Sequence, residues 1–514
     1  MFRSVMAVLA AAPMLLGLPA AAGTGPPAVS CAAIAGQPFA LATVTSATTV
    51  TNSRSQEYCE VRGVIQPQTH FAIKLPTSGW TGQYVQQGCS GLCGSVPALD
   101  LPLFGFGCAP AIDGKLVLAA DDSGHTGTDQ GDGRWGADPR LRVVFGLTSE
   151  HSLQQVATAV MRAYYGRGPA YRYFDGCSTG GRQGLNLAQR YPADFDGILG
   201  GAPANNLAPL GLLNAWTVVR NTDSAGRQIL GADKVPALHE AVARACGEII
   251  DDPRACGFQP ASIQCPAGVD TPSCLTPAQV AAVTAFYRGP TDARGRSLYN
   301  GGVPYGSELS WVNQFVDPDG HPEDTLSGRI ALSYFRYLAY PQNPPAGFTL
   351  ADVRFTEAEF DRVNLLGDAI YNANDPDLSA FRARGGKLIL YHGWADAAIP
   401  PFSTTDYYAA VERRAGGFAA SQRFSRLYLI PAGYHCLFGP DPYTPAEVGF
   451  VEFLTPLMDW VERGIAPGPL DAPTLSAADF SLVRDLTIAP VDALGAVHAA
   501  PGSLNANYDY VGGY

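Results

Sequence analysis

Three short stretches of this 514-residue chain hold residue types that together can carry out nucleophilic chemistry. The first is Gly176-Cys177-Ser178-Thr179-Gly180, a Gly-x-Ser-x-Gly pattern. A serine hydroxyl is a weak nucleophile unless a base takes its proton, and the base needs a carboxylate to orient it. The second stretch, His392-Gly393-Trp394-Ala395-Asp396, offers that carboxylate as Asp396. The third, Gly433-Tyr434-His435-Cys436, offers the imidazole as His435. Together they suit acyl transfer. Ser178 would attack an ester carbonyl, His435 would move the proton, and Asp396 would fix the imidazole tautomer. The Thr179 backbone N–H, with one from near Gly88, would hold the oxyanion.

Each stretch follows a strand-like run, so a parallel sheet would bring all three to one edge. Aromatics lead to Phe174, the serine follows, and Gln183 to Arg190 is helix-compatible, which is the strand–turn–helix setting of a nucleophile elbow. Leu388 to Tyr391 precedes Asp396, and Arg426 to Ile430 precedes His435. The chain order Ser178, Asp396, His435 is that of an α/β-hydrolase. Lys115 to Ala120 reads as a further strand, Ser152 to Tyr164 as an amphipathic helix, and Phe195 to Asn205 as a short buried strand ending in a loop. Residues 31 to about 110 read as β-rich, and the run from Trp80 enters a glycine-rich loop at Gly88. His125 precedes the elbow, where the base of this fold does not lie, so a structural or binding role is expected for it.

From 206 to 375 the α/β rhythm is lost. Four cysteines, many turns and scattered aromatics (Trp216, Phe258, Phe286, Tyr287, Trp311, Phe315) replace it. The rhythm resumes afterwards, so this stretch reads as a lid inserted into the sheet domain. Thr276-Pro277 opens one lid helix and Thr356 to Glu359 is a capping box for another. The last helix is expected near Ala446 to Arg463, stopped by Gly464, with a mostly loop-like tail from Leu470. The expected organisation is a signal peptide at 1–22, the first part of the core at 23–205, the lid at 206–375 and the second part of the core at 376–514.

Arg3, the apolar run Val5 to Leu18 and the small residues Ala20-Ala21-Ala22 have the form of a secretory signal, which points to a secreted or periplasmic protein. The run is too short for a membrane span. A net charge of -12 with no basic block argues against nucleic acid as a partner. Eleven cysteines suit an oxidising compartment, and the odd number leaves at least one unpaired within the chain. Cys177 precedes the serine and Cys436 follows the histidine. If the two side chains meet, a Cys177–Cys436 disulfide is within reach. No set of cysteines has convincing zinc spacing.

With these residues in view the sequence resembles the tannase and feruloyl esterase family, which includes mono(2-hydroxyethyl) terephthalate hydrolase-like esterases. The matching stretches are Gly176 to Gly184, His392 to Asp396, Gly433 to Cys436, Asp122 to His125 and Gly201 to Ala204. Cysteines flanking both serine and histidine are the most specific element. The resemblance implies a lid between the serine and aspartate segments and small-molecule esters of aromatic acids as substrates, with lid aromatics stacking on the acyl ring. Against that pattern, the lid loop Cys246 to Cys256, which holds calcium in the family, looks shortened. Glu248, Asp251 and Asp252 are too few for a hard cation, so no metal and no cofactor is expected. Cys246–Cys256 and Cys265–Cys274 remain as bridges, and the pairing of Cys31, Cys59, Cys89, Cys93 and Cys108 stays open. A serine peptidase or acyltransferase on the same fold is the enzymatic alternative. A non-enzymatic secreted binding domain is the other.

Overall fold

The computed structural model describes residues 26–491 apart from 101, 103–106, 438 and 440–445. The expected signal peptide lies outside the described residues. One nine-stranded sheet organises the rest, in the order β1-β2-β3-β5-β4-β6-β7-β8-β9. Its strands are β1 Ala42–Thr51, β2 Glu57–Ile65, β3 Thr69–Pro76, β4 Gln83–Gln87, β5 Val117–Asp121, β6 Tyr171–Cys177, β7 Gly197–Gly201, β8 Lys387–Gly393 and β9 Ser425–Ile430. The first three strands are antiparallel and β3 joins β5 antiparallel; from β5 to β9 every pairing is parallel. This is a mixed α/β sheet of the α/β-hydrolase type.

The parallel strands are mostly buried because both their faces are covered. Successive side chains on β6 show it. Phe174 packs on one face with Leu153, Val160 and Met161 of the helix Ser149–Tyr165. Tyr173 packs on the other with Leu454, Leu457 and Trp460 of the helix Leu454–Arg463.

After β7 the chain leaves the sheet and returns at β8, which pairs directly with β7 in the register Gly197↔Lys387 to Gly201↔Tyr391. Between them lie the helices Leu207–Arg220, Val235–Cys246, Pro277–Arg288, Leu326–Tyr337 and Glu357–Leu366, and no strand of the main sheet. This insertion has two apolar cores of its own. One takes in Cys89, Leu92 and Ile399 of the core loops, and the other takes in Ala397. The lid therefore rests on the loops that carry the site. Thr276 forms a reciprocal capping box with Gln279. At Thr356 only half of the expected box forms. Its hydroxyl accepts the Glu359 N–H at 3.2 Å, while the Glu359 carboxylate turns to the Tyr340 hydroxyl at 2.5 Å.

Two expectations need correction. The last helix starts at Leu454 rather than near Ala446, because Glu447–Gly449 pairs as a strand with Thr474–Ser476. The tail from Leu470 is not simply loop. Thr474–Ser476 also pairs with Leu482–Arg484, and Leu470–Asp471 pairs with Thr487–Ile488. Segments of two or three residues are too short to show an alternation in sequence. Gly464 ends the helix as expected, in the left-handed conformation that a side chain disfavours.

Candidate active site

Ser178 stands between the end of β6 and the helix Thr179–Arg190, with φ 65° and ψ -122°. This conformation costs a non-glycine residue about 1–3 kcal/mol, so neighbours must hold it. The Ser178 N–H donates to Gly201 O at 2.9 Å, and Ser178 O accepts from Arg182 and Ala204, each at 3.1 Å. Gly176 is required by the turn, since a Cβ there would sit 2.7 Å from the Gly180 backbone. Ser178 retains 9% exposure. Thr179 opens the helix, where the first N–H groups have no intrahelical acceptor. Its hydroxyl donates to Gly91 O at 2.5 Å and ties the elbow to the 88–91 loop.

The structure corrects the role expected of Gly88. Its N–H continues the sheet ladder, donating to Asp175 O at 2.9 Å, so it is not free for an oxyanion. The Cys89 N–H is also engaged, by Gln183 Oε1 at 3.1 Å. Gly88 is instead a packing glycine: a Cβ would lie 2.6 Å from Gly180 Cα. The next amide of the loop, Ser90 N–H, has no acceptor among the described residues.

Asp396 is completely buried in the loop after β8. Its Oδ1 accepts the backbone N–H groups of Ala398 and Ile399, both at 2.9 Å. Its Oδ2 accepts from His435 Nδ1 at 2.7 Å and from His392 Nε2 at 3.1 Å. Burial pushes this carboxyl up, but the charge of His435 and the hydrogen bonds from both histidines outweigh it and hold the group well below the usual carboxylate range. With Nδ1–H spent on Asp396, the other ring nitrogen of His435 is left to accept a proton.

The role of His392 was missed in the sequence, where it is only part of a motif. Its Nε2 lies between two acceptors, Asp396 Oδ2 and Ile399 O at 2.7 Å, so it carries the proton. Its Nδ1 meets the Thr404 hydroxyl at 2.8 Å. The ring braces the same carboxylate oxygen that His435 engages.

The aspartate and histidine loops are bonded to each other, with Ala395 N–H on Gly433 O at 2.9 Å. Cys177 and Cys436 form the expected disulfide, with Cα atoms 5.9 Å apart, so the flanks of Ser178 and His435 are joined directly. The bond closes a sequence separation of 259 residues. Replacing both cysteines by serine is expected to lower stability by up to about 5 kcal/mol if loop entropy dominates. Melting under non-reducing conditions checks this, and an unchanged midpoint would contradict it.

Cys246–Cys256 and Cys265–Cys274 are also bridged. The pairings left open resolve as Cys31–Cys59 and Cys89–Cys93, with Cys108 buried and free.

His125 is structural. Its Nε2–H donates to Leu92 O at 2.8 Å and its ring stacks on Trp135 at 4.0 Å. Burial lowers its pKa from 6.5 to about 4. As pH falls, the unfolded chain takes this proton near 6.5 and the folded chain only near 4. Stability therefore drops across that window, by about 3 kcal/mol in full. His125→Gln is expected to lose that part of the acid sensitivity, as measured by denaturant unfolding at several pH values. An unaltered pH slope would contradict it.

The lid aromatics mostly build the lid itself. Phe286, Trp311 and Phe315 contact one another with centroids 5.2–5.6 Å apart and are fully buried, and Trp216 packs on Phe355 at 4.8 Å. Trp394 of the aspartate loop meets the lid instead, with the Arg254 guanidinium 5.3 Å from its ring.

The residues of the Cys246–Cys256 loop do not fit a calcium ion. Asp252 caps Arg254 N–H and pairs with its guanidinium at 2.6 Å, while Glu248 and Asp251 point into solvent separately. Among the described residues no group of three or more ligating side chains comes together. Also among them, no helix is long and apolar enough to cross a membrane.

Comparison with known proteins agrees with this architecture. The tannase and feruloyl esterase family profile matches residues 50–491. Mono(2-hydroxyethyl) terephthalate hydrolase of Piscinibacter sakaiensis is 32% identical over 486 residues, covering 81% of this chain and 78% of that protein. A probable feruloyl esterase B of Emericella nidulans is 29% identical, covering 83% and 80%. The crystal structure of feruloyl esterase B from Aspergillus oryzae superposes with a TM-score of 0.74 at 23% identity, covering 90% of this chain and 96% of that one. The chain belongs to the tannase and feruloyl esterase family of hydrolases.

Proposed function

We propose that this protein is a secreted or periplasmic serine esterase that cleaves small-molecule esters of aromatic carboxylic acids through an acyl-enzyme. The observation that carries the reading is the Asp396–His435 hydrogen bond at 2.7 Å, set beside Ser178 by the Cys177–Cys436 bridge. Ser178 Oγ attacks the ester carbonyl while His435 takes its proton. The tetrahedral oxygen is held by Thr179 N–H and an amide of the 88–91 loop. Collapse breaks the ester C–O bond, and His435 gives the proton to the leaving alcohol. Water then adds to the acyl carbon as His435 takes its proton, and collapse breaks the acyl–Oγ bond as His435 returns that proton to Ser178, freeing the acid. Asp396 stays ionised throughout, stabilising the imidazolium.

The aromatic-acid class is supported by the relatives, which are named for feruloyl and terephthalate esters. Export is supported by the N-terminal signal pattern and by five disulfides among the described residues. The test is acid release from methyl ferulate, methyl gallate, chlorogenate and mono(2-hydroxyethyl) terephthalate, with a peptide amide and an added alcohol acceptor alongside. Preferred hydrolysis of an aromatic ester supports the reading. Turnover confined to the peptide, or to transfer onto the alcohol, replaces it.

A further inference from the structure

Beneath the 88–91 loop lies a buried polar cluster that the acyl-transfer steps do not use. Gln183, five residues after the nucleophile, is at its centre. The Gln183 Oε1 accepts the Cys89 N–H at 3.1 Å. Its Nε2 donates to Glu150 Oε1 at 2.8 Å and to Ser123 Oγ at 2.9 Å. The other Glu150 oxygen accepts from Gln86 Nε2 at 2.6 Å, and Gln86 Oε1 accepts from the Tyr84 hydroxyl at 2.7 Å. Every amide orientation in this chain is thereby fixed by a neighbour.

Asp121 completes the cluster. Its Oδ1 accepts the Ser123 N–H at 2.8 Å, and its carboxyl feels the charge of Glu150. Two carboxyls this deep do not both ionise, since each carries a desolvation penalty and they repel. Burial, then the charge of Glu150, pushes Asp121 well above its ordinary range, and burial brings Glu150 to about 7. The remaining negative charge faces Arg182, a buried guanidinium whose own hydrogen bonds go to the carbonyls of Phe145, Gly146 and Tyr371.

We propose that Gln183 is a positioning residue for the oxyanion side of the site, relaying the buried Glu150 carboxyl to the Cys89 N–H and so holding the 88–91 backbone against the nucleophile elbow. This rests on the acyl-transfer reading above. The loop amides act only as negative charge develops on the carbonyl oxygen, so misplacing them lowers kcat and leaves KM in place.

The experiment compares Gln183→Leu and Gln183→Glu with the unaltered protein on p-nitrophenyl acetate, with melting temperatures as the folding control. Gln183→Leu is expected to lower kcat by about 10- to 100-fold with KM within about twofold. Gln183→Glu keeps an acceptor for Cys89 but, when ionised, sets a carboxylate against Glu150. Protonated, it donates as the amide did. Its kcat relative to the unaltered protein is therefore expected to rise several-fold as pH is lowered from about 8 to about 5. A folded Gln183→Leu with unchanged kcat overturns the proposal. So does a Gln183→Glu ratio that is flat with pH, which also decides the matter if Gln183→Leu does not fold. Turnover that survives Ser178→Ala overturns the acyl-transfer reading and this proposal with it. Turnover that dies in Ser178→Ala but ignores both Gln183 variants overturns the positioning role alone.

Discussion

Ester turnover is expected to fall by about 10⁶-fold in Ser178→Ala, with the melting temperature near that of the unaltered protein. The size follows from chemistry. In the proposed mechanism the serine oxygen forms the bond to the acyl carbon. The Thr179 hydroxyl is already committed to Gly91 O. Fold retention follows from the contacts. The hydrogen bonds that hold the elbow are made by the Ser178 backbone, which alanine keeps. What remains is the residual acceleration of an oxyanion site with no nucleophile, which needs long assays with enzyme in excess to detect. Turnover reduced only a few-fold would mean that another group performs the attack.

Asp396→Asn is expected to lower kcat by about 10⁴-fold. The carboxylate accepts four donors: two backbone N–H groups, His392 Nε2–H and His435 Nδ1–H. Asparagine matches the shape but places an NH₂ where two histidine donors converge. His435 responds by presenting Nδ1 as an acceptor, which puts its proton on the nitrogen that must receive the serine's. His392 cannot adapt in the same way, because Ile399 O also requires its Nε2–H. The variant is therefore expected to lose stability as well. The Asp396 carboxyl lies below its ordinary range in the folded protein, so its contribution is present above the unfolded value and is lost as pH falls towards the folded one. The stability difference between the two proteins should be full at neutral pH and shrink in strong acid. A kcat within tenfold of the unaltered protein would remove Asp396 from the mechanism.

The three residues proposed to react were legible in the sequence because each sits in a local pattern at the end of a strand, and strand order alone brings such ends together. The lid was legible as a break in rhythm between two stretches that pair as β7 and β8. Other features depend on contacts that no local pattern records. His392 looks like any histidine at the end of an apolar strand; its brace on Asp396 arises from a loop that folds back at Ile399. The Gly88 amide reads as free for an oxyanion, because no local pattern shows that the sheet ladder runs one residue beyond the strand. An aromatic in the lid reads the same whether it faces a ligand or other aromatics, and here most face one another. Gln183 lies in plain sight within the elbow motif, yet its partners come from residues 89, 123 and 150.

The central claim is that Ser178 becomes acylated. The direct measurement is rapid acid quenching of the protein during turnover of p-nitrophenyl ferulate, followed by peptide mapping by mass spectrometry without reduction. The account predicts a feruloyl adduct on the disulfide-linked peptide pair that contains Ser178 and Cys436, formed with a burst of p-nitrophenol and absent from Ser178→Ala. Steady turnover with no adduct on that pair, or an adduct on another residue that persists in Ser178→Ala, would contradict it.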